Sequence, residues 1–178
     1  MDTFKARFPS RHDTWLTFSS ILFLVNVWAI INILRAVPSW ILSRTIWEMI
    51  GIISYPLAFV LFETILFLIG LIILSVVLPR KTLRDNFVAM GSLAALLATL
   101  GMILAHIYGE GISIWLVRDF GKYLLKLFGL VLVSWVSVYY FKRLAKTINS
   151  IASRLTPLST VYLAVDFLAV IIIVVRNI

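Results

Sequence analysis

Apolar residues along this chain come in long runs, and the polar and charged residues gather in the short intervals between them. The runs are of bilayer length rather than the four to eight residues of a strand, so the pattern predicts helices that cross a membrane. Backbone N–H and C=O groups find no water in hydrocarbon, and a helix is the element that satisfies all of them within one segment. The expected fold is all-α, a polytopic integral membrane helix bundle with about five transmembrane helices.

The first span is expected at 15–34, after a polar tail with Lys5, Arg7 and Arg11. Its start resembles a signal peptide, but the apolar region is too long and Arg35-Ala36-Val37-Pro38 supplies no small-x-small site, which predicts an uncleaved span. Apolar character resumes from 46 to 78, too long for one perpendicular span and too short for two with a turn. Pro56 fits the first turn of a helix, where its missing N–H costs nothing, giving a span at 54–78 with 46–53 as an interfacial lead-in. A continuous tilted helix kinked at Pro56 is the alternative. The basic turn Pro79-Arg80-Lys81-Thr82-Leu83-Arg84-Asp85-Asn86 precedes a third span at 87–108, and a mixed loop leads to a fourth at 123–141. A second basic connection leads to a short fifth span at 160–175. Within that connection Leu144, Ile148, Ile151 and Leu155 recur every three or four residues, with basic and polar residues on the other faces, which predicts an interfacial amphipathic helix at about 143–155. The whole, 1–178, reads as a single membrane domain.

Composition sharpens the class. Of the residues 62% are hydrophobic and 13% charged, where a soluble domain carries about a quarter charged. The lack of cysteine removes disulfides, thiolate metal sites, iron–sulfur clusters and cysteine nucleophiles together. The two histidines, His12 in the tail and His106, cannot both ligate a haem within the bilayer, and no cofactor is expected. The net charge of +8 lies at span ends, where Lys and Arg act as topology signals and partners of lipid headgroups rather than of nucleic acid. On alternate sides of the spans they number ten and six, which places the N-terminus in the cytoplasm and the C-terminus outside, in a plasma membrane. Trp40, Trp47 and Trp115 gather on the outer side as an interfacial belt would.

Few polar groups fall where lipid should be. Glu63, in the middle of the second span, costs roughly 2.5–3.5 kcal/mol to insert, so it is expected to face the bundle interior and to be neutral or partnered. Asp166 lies two turns into the fifth span, within expected reach of Lys142, Arg143 or Lys146 as they snorkel along the helix end. His106 and Glu110, four apart, share a helix face if the third span continues, and Lys126 enters the fourth span from the same side, forming a candidate outer polar group responsive near neutral pH. A zinc site would need a third ligand, and no metal is expected. Gly91, Ala95 and Thr99 repeat every four residues, as do Gly101, Ala105 and Gly109, a small-residue pattern that lets helix backbones approach closely. Asn26, Asn32, Ser134 and Ser137 add interhelical hydrogen-bond capacity. Ser113, His106 and Asp119 lack a nucleophile elbow, so no catalysis is expected.

Two functions fit this inventory. The first is a non-catalytic subunit or scaffold of a membrane protein assembly, packing on other membrane proteins or on itself through the small residues of the third span. The second is a small carrier or channel for an ion or small solute, with Glu63 in the pathway and the His106, Glu110 and Lys126 group as an outer vestibule.

Overall fold

The computed structural model describes residues 8–77, 86–108 and 120–177, and the described chain is helical with no strand. Five helices follow one another: α1 (Arg11–Ile41), α2 (Ile46–Val77), α3 (Phe87–Tyr108), α4 (Phe120–Tyr140) and α5 (Lys142–Asn177). α1, α2, α5 and the Phe87–Leu104 part of α3 are long and apolar enough to cross a membrane, and α4 is a fifth, shorter helix beside them. The chain is a helical membrane protein. The turn around Arg80 and the loop that holds Glu110 lie outside the described residues.

Local chemistry sets the helix ends. Ser10 caps α1, its Oγ accepting from the Asp13 N–H at 3.0 Å, with Asp13 placed in the first turn where the helix dipole favours an acid. At the start of α2, Thr45 and Glu48 form a capping box. The Glu48 carboxylate accepts from the Thr45 N–H at 2.9 Å and from its hydroxyl at 3.1 Å, and the Glu48 N–H donates back to Thr45 Oγ1. A single non-helical residue, Phe141, separates α4 from α5, and its carbonyl accepts from Leu144 and Ala145.

Two helices run further than the apolar pattern predicts, and a third takes the continuous one of its two expected forms. α1 continues through Pro38 to Ile41, beyond the expected end at 34. α2 is one helix of 32 residues, Ile46–Val77, that passes through Pro56, in place of a separate 46–53 lead-in. α5 likewise joins the segment expected as a separate surface helix at 143–155 to the span at 160–175, in one 36-residue helix containing Pro157. Each proline removes one backbone donor, and hydroxyls nearby bond back to other carbonyls of the same helix: Ser54 to Ile50 at 2.7 Å, and Thr160 to Thr156 at 3.0 Å.

Contacts between helices fix their directions. Ser159 of α5 bonds the backbone of Ser19 and Asp166 bonds Asn26, so residue number rises together along both helices. Gly91 of α3 packs on Thr17, and His106 meets Trp28, so α3 runs the same way. α2 is antiparallel to them: the end of α5 ties to its beginning, where Arg176 donates to the Trp47 carbonyl at 3.1 Å and Asn177 to the Tyr55 hydroxyl at 3.2 Å. The Arg176 guanidinium lies where a side chain on Gly51 would be, so glycine makes room for that tie.

The buried core gathers at one end of the bundle. Ile21 from early α1, Leu71 from late α2, Phe87, Met90 and Ala94 from early α3, Val138 from late α4 and Ala145 from early α5 meet there. All five helices contribute, and small residues on α3 let the others close around it.

Candidate functional site

The two carboxylates beyond the first turns of the apolar helices, Glu63 and Asp166, come to opposite circumstances. α5 buries Ala145, Ala152, Ser159 and Asp166, each seven residues after the last, together with Ala169. A strict seven-residue repeat keeps one stripe against a neighbouring helix, as in a coiled coil. On α1 the matching residues are Ser19 and Asn26, again seven apart, and both cross-helix pairs have the same offset of 140 residues. Ser159 Oγ donates to the Ser19 carbonyl at 2.6 Å, and Asn26 Nδ2 donates to Asp166 Oδ2 at 2.8 Å and to the Leu22 carbonyl at 3.2 Å. Phe23 and Tyr162 flank this seam with ring centroids 5.9 Å apart.

This corrects the expected partner of Asp166. Lys142, Arg143 and Lys146 lie 20 to 24 residues before it on the same unbroken helix, so at 1.5 Å per residue they are about 30 Å or more away along the axis. A carboxamide from α1 takes the place of the snorkelling cation, and Asp166 is fully buried.

Glu63 also departs from expectation. The stripe that α2 buries runs through Gly51, Ser54, Leu57, Thr64 and Leu71, and Glu63 stands one residue, about 100° of helix rotation, off it. Its carboxylate is half-buried and forms no hydrogen bond or ion pair among the described residues. Instead of pointing into the bundle centre it lines an open cleft of about 590 Å³ between α1 and α2. Trp28, Asn32 and Trp40 line the cleft from α1, and Tyr55, Phe59 and Glu63 from α2, with Met102 of α3 beyond them. Smaller apolar residues, Val25, Ala29 and Val60 among them, form its floor. The Asn32 amide is oriented by a bond to the Trp28 carbonyl at 3.0 Å, and the Tyr55 hydroxyl by the bond from Asn177. Among the described residues no Lys, Arg or His lines it. The arrangement offers one carboxyl group, one carboxamide and several aromatic surfaces in an otherwise apolar recess.

Of the expected outer polar group, His106 is exposed at the end of α3 and packs edge to face on Trp28, ring centroids 5.6 Å apart. Glu110 lies outside the described residues, and Lys126 is exposed on α4. Among the described residues no three His, Asp or Glu side chains gather as metal ligands would.

The two small-residue rows of α3 also part company. At Gly91 an added Cβ would stand 2.5 Å from Thr17 Cγ2 and 3.2 Å from Leu71 Cδ1, and Ala95 is buried beside it, so this row closes the monomer's own packing. At Gly101 nothing among the described residues lies within 4 Å of that position. The side chain of Ala105 lies outside what is described.

Sequence reasoning counted Asn26 only as general interhelical glue and missed it as the partner of Asp166. The signal was present as two seven-residue spacings, Ser19 to Asn26 and Ser159 to Asp166. It missed the cleft altogether, because four aromatics spread over two helices carry no spacing that announces a shared wall.

No family model matches the chain, and no curated protein or solved structure matches it.

Proposed function

We propose that this membrane protein is a small non-catalytic carrier that binds a small solute in the cleft between α1 and α2, with Glu63 as the charged contact. One observation carries the reading: a carboxylate without a partner among the described residues stands on the wall of a recess whose volume suits a small ligand. Ionisable groups in apolar helices are costly and mark ligand or ion pathways when nothing structural engages them. Asp166 has a structural partner, and Glu63 has none among the described residues.

A specific observation favours the subunit reading as second. The open face around Gly101, with Met102 and Leu104 exposed, is a place where another membrane helix could approach closely. On either reading we place the protein in a plasma membrane with the N-terminus cytoplasmic and the C-terminus outside, supported by the ten-to-six distribution of Lys and Arg.

Native mass spectrometry of the full chain, extracted gently from its source membrane, separates the two. A bound small molecule that disappears in Glu63→Gln supports the carrier. A stable heteromeric assembly that carries no small molecule and is lost in Gly101→Leu but kept in Glu63→Gln would replace it with the subunit.

A further inference from the structure

We propose that the α1–α2 cleft takes a hydrophobic organic cation, with Glu63 as its counter-ion and the aromatic walls as its sheath. The inference rests on the reading of the cleft as a solute site and adds the chemistry of the solute.

Charge comes first. Among the described residues Glu63 is the one acidic or basic side chain lining the cleft, apart from the Tyr55 phenol, and no described Lys, Arg or His stands among the lining residues to neutralise it. Arg176, at the end of α5, is engaged with the Trp47 carbonyl at the start of α2. A ligand that supplied a positive charge would therefore complete a pair in a medium where the pair is strong and a lone carboxylate is costly.

The walls choose among cations. Trp28 and Trp40 from one helix and Tyr55 and Phe59 from the other surround the recess, and the faces of such rings attract a cation that has shed its water, indole most strongly. An alkali or alkaline-earth ion instead needs about six oxygen ligands at close range. Among the described lining residues only Glu63, Asn32 and the Tyr55 hydroxyl offer side-chain oxygens, and that hydroxyl already accepts from Asn177. A hydrophobic body beside the charge, by contrast, meets Val25, Ala29, Val60 and Met102. Access also fits an amphiphilic solute: Phe59 and Phe62, on the outward side of α2, are each 60% exposed, so the recess borders the surface that faces lipid.

The test is equilibrium dialysis of the full chain in phosphatidylcholine nanodiscs against tetraphenylphosphonium, with protein-free nanodiscs subtracted. Its isosteric anion, tetraphenylborate, and the neutral triphenylphosphine oxide serve as companions. Saturable binding of the phosphonium is expected, with no saturable binding of the borate. Glu63→Gln should weaken it by about tenfold or more, since a buried charge pair loses one partner, Glu63→Asp should retain part of it, and Phe59→Leu should weaken it by about threefold. Thermal unfolding followed by tryptophan fluorescence checks that each variant is folded. Equal phosphonium binding by wild type and Glu63→Gln, or binding of the borate as tight as that of the phosphonium, would overturn the inference. Saturable binding of the neutral probe alone would overturn it too, yet leave the cleft a solute site. Binding of none of the three probes, together with no small molecule in the native mass spectrum, would remove the carrier reading as well.

Discussion

The bundle has a packed end and an open end, and α1 and α2 take part in both. Where α1 begins and α2 finishes, Ile21 and Leu71 are buried with residues from every other helix. Where α1 finishes and α2 begins, the same two helices diverge around a cleft lined by Trp40, Tyr55 and Glu63. The difference follows from side-chain size. Early α3 presents Ala89, Gly91, Ala94 and Ala95 to its neighbours, all buried, so the backbones draw together. Late α1 and early α2 instead line the cleft with Trp40, Tyr55 and Phe59. Polar groups divide in the same way: Asp166 has a bonded partner across the α1–α5 seam, and Glu63 has none among the described residues. Close approach makes hydrogen-bonded pairs possible, and separation leaves a side chain available to something else.

Substitutions can test this contrast from either end. The greatest effect is expected from Gly91→Leu, which would drive a branched side chain into Thr17 and Leu71 and cost about 3 kcal/mol, seen as a large drop in the midpoint of thermal unfolding. The same change at Gly101, where no described residue lies within 4 Å, should shift stability by no more than about 0.5 kcal/mol. Equal losses at both positions would erase the distinction between the two ends. Next comes the seam. Asn26→Leu leaves the Asp166 carboxyl buried without its donor and should destabilise by about 1–3 kcal/mol, and adding Asp166→Leu should restore most of that, a coupling that a double-mutant cycle measures directly. Ser159→Ala removes the bond to the Ser19 carbonyl and should cost only about 0.6 kcal/mol. Smallest of all in stability is Glu63→Gln, expected within about 0.5 kcal/mol of wild type while solute binding is lost. A large destabilisation there would mean that the carboxylate does structural duty as Asp166 does. Since the chain has no cysteine, single cysteines at Thr3 and Ile178 should react with a membrane-impermeant maleimide from opposite sides, inside and outside.

How much of this was legible in the sequence depends on the kind of signal. The membrane class and helical architecture follow from the apolar runs, because a bilayer imposes a length that a sequence records directly. The close approach at Gly91 and Ala95 was legible for the same reason, as a periodic run of small residues. Span ends were less so. Hydropathy marks where apolar character stops, whereas helices continue as long as backbone bonds and capping permit, and α1 and α5 exceed their apolar segments accordingly. Glu63 stood out as a charge out of place, but its direction did not, because a shift of one residue rotates a side chain by about 100° and the buried stripe of α2 is set by partners distant in sequence. The pairing of Asp166 with Asn26 is a contact over 140 residues, and only the repeated spacing of seven on both helices hinted at it.

The continuity of α5 has a mechanical consequence. Thirty-six residues make a rod of about 54 Å, roughly 24 Å longer than the hydrocarbon it crosses. Lys142, Arg143, Lys146 and Arg154 occupy one arm of that rod, and Ser159, Asp166 and Arg176 fasten the other to α1 and α2. Ala145 and Ala152 bury that same basic arm in the bundle, so its cations are held at a set height above the α1–α5 seam, as a fixed ruler against the membrane surface rather than a loose tail.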